Sequence, residues 1–79
     1  MKILTMVTSG VGDATRASVP IHLAVNGSAE IGDEPVVLIA GDAAEWLSGD
    51  AIETGAGVGV PPMRELVAKL RQHAVPVYV

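Results

Sequence analysis

Pro35-Val36-Val37-Leu38-Ile39-Ala40 is a run without a polar side chain, bounded by Asp33-Glu34 before it and Gly41-Asp42 after it. A stretch this short and this continuous reads as a strand apolar on both faces. That is the habit of a parallel sheet covered by helices, since a strand with one wet face alternates. Two more stretches share its character: residues 2–8, Lys2-Ile3-Leu4-Thr5-Met6-Val7-Thr8, and residues 75–79, Val75-Pro76-Val77-Tyr78-Val79. The intervals between the three, residues 13–32 and 43–73, hold a crossover helix comfortably and are too long for hairpins. The order of elements is βαβαβ.

The last helix is the most regular. Met63, Leu66, Val67, Leu70 and Ala74 form one stripe of a 3.6-residue period, with Arg64, Glu65, Lys69, Arg71 and Gln72 on the wet face. Pro61-Pro62 suits its start, and Arg71 and His73 suit its carbonyl end. Glu65 and Lys69 are spaced for an i,i+4 pair. In the first helix Ala17, Pro20, Ile21, Ala24 and Val25 share a face, and Asp13 or Ser18 supplies the cap. With Asp13 as cap, Pro20 falls in the second turn and kinks it. Asn26-Gly27 is a weak point costing about 1 kcal/mol if helical, and Gly32 is the natural stop. A short helical turn is expected over residues 43–47, and a mobile glycine-rich loop over 49–59.

Right-handed crossovers in strand order 1-2-3 place both helices on one face and leave the other bare, whereas order 2-1-3 covers both. Strands apolar on both sides favour 2-1-3, the beginning of a flavodoxin-like three-layer α/β sheet. Its topological switch point lies beyond the carboxyl ends of strands 1 and 3, beside Ser9-Gly10 and just after Val79. If the tips of these two strands lie apart, the site placed there and the kinship described below fall together. The apolar stretch at 75–79 is followed by no loop or helix, so residues 1–79 are expected to be a single domain incomplete at its C-terminus. Two helices on three strands leave apolar surface for another subunit.

Composition narrows the function classes. A formal charge of −4 without a basic cluster argues against a binder of phosphate backbones, and two aromatic residues, Trp46 and Tyr78, argue against base stacking. There is no cysteine, hence no disulfide, no thiolate metal site and no cysteine nucleophile. No apolar run approaches a membrane span, and residues 1–7 are too short for a signal-peptide core, so a cytoplasmic protein is expected, with no nucleic-acid or membrane partner.

Ser9-Gly10-Val11-Gly12-Asp13-Ala14-Thr15-Arg16 follows a strand and opens a helix. It reads either as a tight βα turn with a cap or as a small-anion pocket using Ser9, backbone N–H groups and Arg16. Thr15 stands where a dinucleotide fingerprint needs its third glycine, and no lysine serves a phosphate loop. Arg16 pairs with Asp13, Glu30 or a neighbouring subunit. Asp42, reached through Gly41 at the end of the second strand, is a helix cap or a rim acid. The candidate ligand site is therefore Ser9, Gly10, Asp13, Arg16, Gly41 and Asp42, with no catalytic residue, metal or cofactor assigned. His22 is a packed or interface residue, and His73 a solvated helix end. Ser9, His22 and Asp42 lack the strained turn of a hydrolase nucleophile. Trp46 either anchors a subunit interface or is buried in its own chain.

Four blocks carry a resemblance. Thr8-Ser9-Gly10 with Asp13, Thr15-Arg16-Ala17, Pro20 and His22-Leu23-Ala24 resembles the N-terminal signature of DsrE/DsrF-like proteins, a family including YchN-like and TusD-like members. Leu38-Ile39-Ala40-Gly41-Asp42-Ala43 is similar to the end of that family's second strand. Val58-Gly59-Val60-Pro61-Pro62-Met63 with Glu65-Leu66 is similar to the entry of its third helix, and residues 75–79 to the strand before its Cys-Gly-x-Cys motif. The resemblance implies a flavodoxin-like layer assembled as a homo-trimer or hexamer, with sulfur-relay proteins as possible partners. It also implies a persulfide-carrying cysteine after the third strand. This sequence has no cysteine, so what it implies here is a fragment, or a binding and assembly protein without the chemical group. The alternatives are a small-anion or small-ligand binder at the rim, and a purely structural oligomeric scaffold.

Overall fold

The computed structural model describes residues 1–79. Strand β1 (Lys2–Val7) leads through a 3-10 turn (Val11–Asp13) into helix α1 (Ala14–Leu23), which runs on as a π turn (Ala24–Ser28). Strand β2 (Glu34–Ile39) is followed by a 3-10 segment (Gly41–Leu47), a single helical turn α2 (Ala51–Thr54), helix α3 (Met63–Gln72) and the two-residue strand β3 (Val77–Tyr78). All strand pairs are parallel. The chain is α/β, compatible with a flavodoxin-like layer.

The expected strand order 2-1-3 is not what forms. The order is β1-β2-β3, with β2 in the centre and bonded to both neighbours. The tips of β1 and β3 are thus separated by β2, and no switch point lies between them. With right-handed crossovers this order brings both helices to one face, and α1 and α3 do pack on each other there. Val7, Val37 and Ile39 point to that side and join Ala17, Ile21, Ala24, Val25, Met63, Leu66 and Leu70 in one buried cluster.

The opposite face explains why the reasoning from apolar pattern to strand order failed. Parallel register sets Leu4 beside Val36, Met6 beside Leu38, and Leu38 beside Tyr78. These five side chains share one face, because partners in a ladder and every second residue along a strand point the same way. Leu4 is 64 %, Met6 50 % and Tyr78 61 % exposed, while Val36 and Leu38 on the central strand are half-buried. The strands are apolar on both sides, as the pattern indicated. What the pattern could not reveal is that this chain's own helices cover only one of them.

Local structure follows expectation at some points and departs from it at others. Asp13 is the cap of α1, its carboxylate accepting the Arg16 N–H at 3.1 Å, and Pro20 lies inside the helix. Asn26-Gly27 is accommodated in the π turn, and Gly32, with φ +86°, ends the segment in the left-handed region where glycine carries no penalty. The loop expected at 49–59 contains α2. It is tied down where Val58 N–H donates to Thr15 Oγ1 at 2.9 Å and Met63 N–H to the Gly55 carbonyl at 3.0 Å. Lys69 does not pair with Glu65; it reaches Glu30 at 3.7 Å and donates to Asn26 Oδ1 at 2.5 Å. His73 is not a solvated end, because its ring is three-quarters buried with Nε2 3.6 Å from Glu30.

Candidate functional site

The end of β1 and the end of β2 lie side by side, so the segments leaving them meet. Thr8, Ser9, Gly10, Gly12, Asp13 and Arg16 from the first, with Asp42 and Glu45 from the second, line a polar hollow of about 380 Å³. Five of the six expected ligand residues, Ser9, Gly10, Asp13, Arg16 and Asp42, are brought together there, and Gly41 is outside the lining. The hollow sits between two neighbouring strands at their carboxyl ends. It is not at the expected switch point, since Val79 lies on the far side of β2.

Glu45 was not among the expected residues, yet it organises the hollow. Its Oε1 accepts the Val11 N–H at 3.2 Å, so a carboxylate of the chain itself occupies the donor at the start of the 3-10 turn. Asp13 likewise takes the Arg16 N–H, and its other oxygen is 3.7 Å from Arg16 Nε. Two backbone donors of the turn, the Val11 and Arg16 N–H groups, are thus already taken by side-chain carboxylates. Three carboxylates face one guanidinium in the lining, which opposes a second anion at close range. The structure thereby favours the capped βα turn over the anion pocket. Glu45 could have been noticed from its place three residues after Asp42, but nothing in the local sequence shows that the two strand ends adjoin.

Asp42 is a rim acid rather than a cap: it lines the hollow, and the N-cap position of the 3-10 segment is Ala40. Trp46 and His22 have structural roles. Trp46 is buried in its own chain at 5 % exposure, and its indole Nε1–H donates to the Ser9 carbonyl at 3.0 Å, pinning the floor of the hollow. It is not an exposed interface anchor. His22 is half-buried with Nδ1 2.9 Å from Asn26 Nδ2. No three His, Cys, Asp or Glu side chains converge in a way that could hold a metal ion, and no helix is long and apolar enough to cross a membrane.

A second concavity lies on the helix-covered side of the sheet. It measures about 300 Å³ and is lined by thirteen residues of which twelve are hydrophobic. Val7, Ile21, Ile39, Trp46, Met63 and Leu70 form its buried floor, and Leu47, Arg71 and Val77 its exposed rim. It was not expected from the sequence, where most of the same residues read as apolar strand and helix positions and Arg71 as part of the wet face of the last helix. Compared with protein-family models, curated proteins and solved structures, the chain matches none of them.

Proposed function

We propose that this chain is a non-catalytic assembly subunit of DsrE/DsrF-like type, working by packing its bare sheet face against further copies of itself. The observation that carries the reading is the uncovered row Leu4, Met6, Val36, Leu38 and Tyr78. Soluble proteins seldom leave a contiguous apolar patch of that kind on the surface unless something docks there. The four sequence blocks alone support the kinship, and the separation of the β1 and β3 tips counts against it. The chain has no thiol to bear a persulfide, so in a sulfur relay it would act as binding or structural partner to a subunit that does.

A sheet face laid on its own copy is a two-fold contact, and a two-fold combined with a three-fold ring closes a hexamer. Light scattering at micromolar concentration should therefore give a mass that is a multiple of three chains. Leu4→Lys together with Tyr78→Lys should break the two-fold contact and reduce a hexamer to a trimer, with unchanged circular dichroism. A clean monomer from the unaltered chain would remove the reading, and so would a double variant with the same assembled mass as the unaltered chain.

A further inference from the structure

The apolar concavity on the helix side has a feature that core packing does not need. Among its lining residues Arg71 is the only charged one. Its guanidinium has no carboxylate within ion-pair distance; Lys2 and Arg64 have none either, but neither of them lines the hollow. Arg71 lies in the last turn of α3, at the rim, above a floor that is aliphatic apart from the indole of Trp46 and the thioether of Met63. A hollow of about 300 Å³ is at the lower end of the range for small-ligand sites. At about 30 Å³ for each water-sized group it accommodates on the order of ten non-hydrogen atoms.

We infer that this concavity is a binding site for a small amphipathic anion, a medium-chain carboxylate whose hydrocarbon lies on the floor and whose head group meets Arg71. Burial of the tail removes apolar surface from water on both partners, and a guanidinium offers a carboxylate two parallel N–H donors. Bulk charge does not favour the ligand, since the chain carries a net −4. The specificity must come from the local cation. The site is separate from the bare sheet face on the opposite side of the sheet, so it stands or falls independently of assembly.

Trp46 is the only tryptophan of the chain and part of the floor, so its fluorescence reports occupancy directly. Octanoate and 1-octanol are the probes, followed by Trp46 emission and by calorimetry on the unaltered chain. Octanoate should saturate with a dissociation constant on the order of 0.1–1 mM, and octanol should bind more weakly. Arg71→Gln, an exposed position expected to leave the fold intact, should weaken octanoate about tenfold and leave octanol unchanged. Val67→Phe, which narrows the hollow, should weaken both probes. Absence of saturable octanoate binding up to about 5 mM in a folded protein overturns the inference. Equal binding of octanoate by Arg71→Gln and the unaltered chain also overturns it.

Discussion

The Glu45 carboxylate accepts the Val11 N–H at 3.2 Å, a contact between residues 34 positions apart that joins the segment leaving β1 to the segment leaving β2. Its neighbour in this junction is Gly10. A Cβ there would overlap Glu45 Oε1 and come within 2.8 Å of the Asp42 carbonyl oxygen. Gly10 is thus required by close approach rather than by its own backbone angles, since its φ of −85° is open to any residue.

Gly10→Ala is expected to lower stability by about 1–3 kcal/mol, the usual range for forcing atoms into a filled site. In a Glu45→Ala background the same substitution should cost less, because the flexible carboxylate is gone, yet more than nothing, because the Asp42 carbonyl is backbone. Urea midpoints of the four proteins in the cycle test this. An identical cost of Gly10→Ala in both backgrounds would show that Glu45 does not sit over Gly10 in solution.

Trp46 and Gly55 form the second such junction. A Cβ on Gly55 would overlap the six-membered ring of Trp46, with Cη2 at 2.7 Å and the Ala51 carbonyl oxygen at 2.9 Å. Gly55→Ala should push the indole out of place, weaken its hydrogen bond to the Ser9 carbonyl and cost about 1–3 kcal/mol. The emission of Trp46 should shift to the red as the ring gains solvent. A substitution that leaves both stability and emission unchanged would show that the glycine loop is not packed on the indole.

These junctions mark where the sequence stops being informative. The apolar runs around Val7, Val37 and Val77 and the stripe Met63, Leu66, Val67 and Leu70 are local periodicities, and they specified strands, helix and parallel class correctly. Strand order depends instead on which faces are covered. Leu4 and Val37 look alike in the chain, although one faces solvent and the other the helices. The turn residues Ser9, Gly10, Asp13 and Arg16 could be grouped because they are neighbours in sequence, and Asp42 because it follows a strand. Glu45 and the apolar hollow depend on contacts between distant segments, which no local pattern encodes.

Ala74, just past α3, has φ +53°, in the left-handed region, where a Cβ costs about 1 kcal/mol relative to glycine. Such a residue is often glycine at the end of a helix. Here the Ala74 and Val75 N–H groups bond to the Arg71 and Leu70 carbonyls at 3.1 and 2.9 Å and hold the turn closed. Ala74→Gly should therefore stabilise the fold by about 0.5–1 kcal/mol, and a rise in thermal midpoint checks it. A fall would indicate that the turn takes another conformation.

Ser18 is the polar exception in the core. It lies in the middle of α1, fully buried, and its Oγ has no hydrogen-bond partner. A hydroxyl taken out of water without a partner is unfavourable by about 1–3 kcal/mol. Alanine keeps the Cβ packing, removes the unsatisfied oxygen and is the better helix former by roughly 0.5 kcal/mol. Against this stands the small void left by one oxygen atom, which the neighbouring Ala17 and Ile21 can partly close. The expected balance is a gain of about 1 kcal/mol for Ser18→Ala, read from the urea midpoint with the slope unchanged. Ser18→Val, which adds volume instead of removing polarity alone, should be worse than Ser18→Ala because α1 and its surroundings are tightly filled there. A loss of stability in Ser18→Ala would mean that the hydroxyl is hydrogen-bonded in solution to the helix carbonyl one turn back.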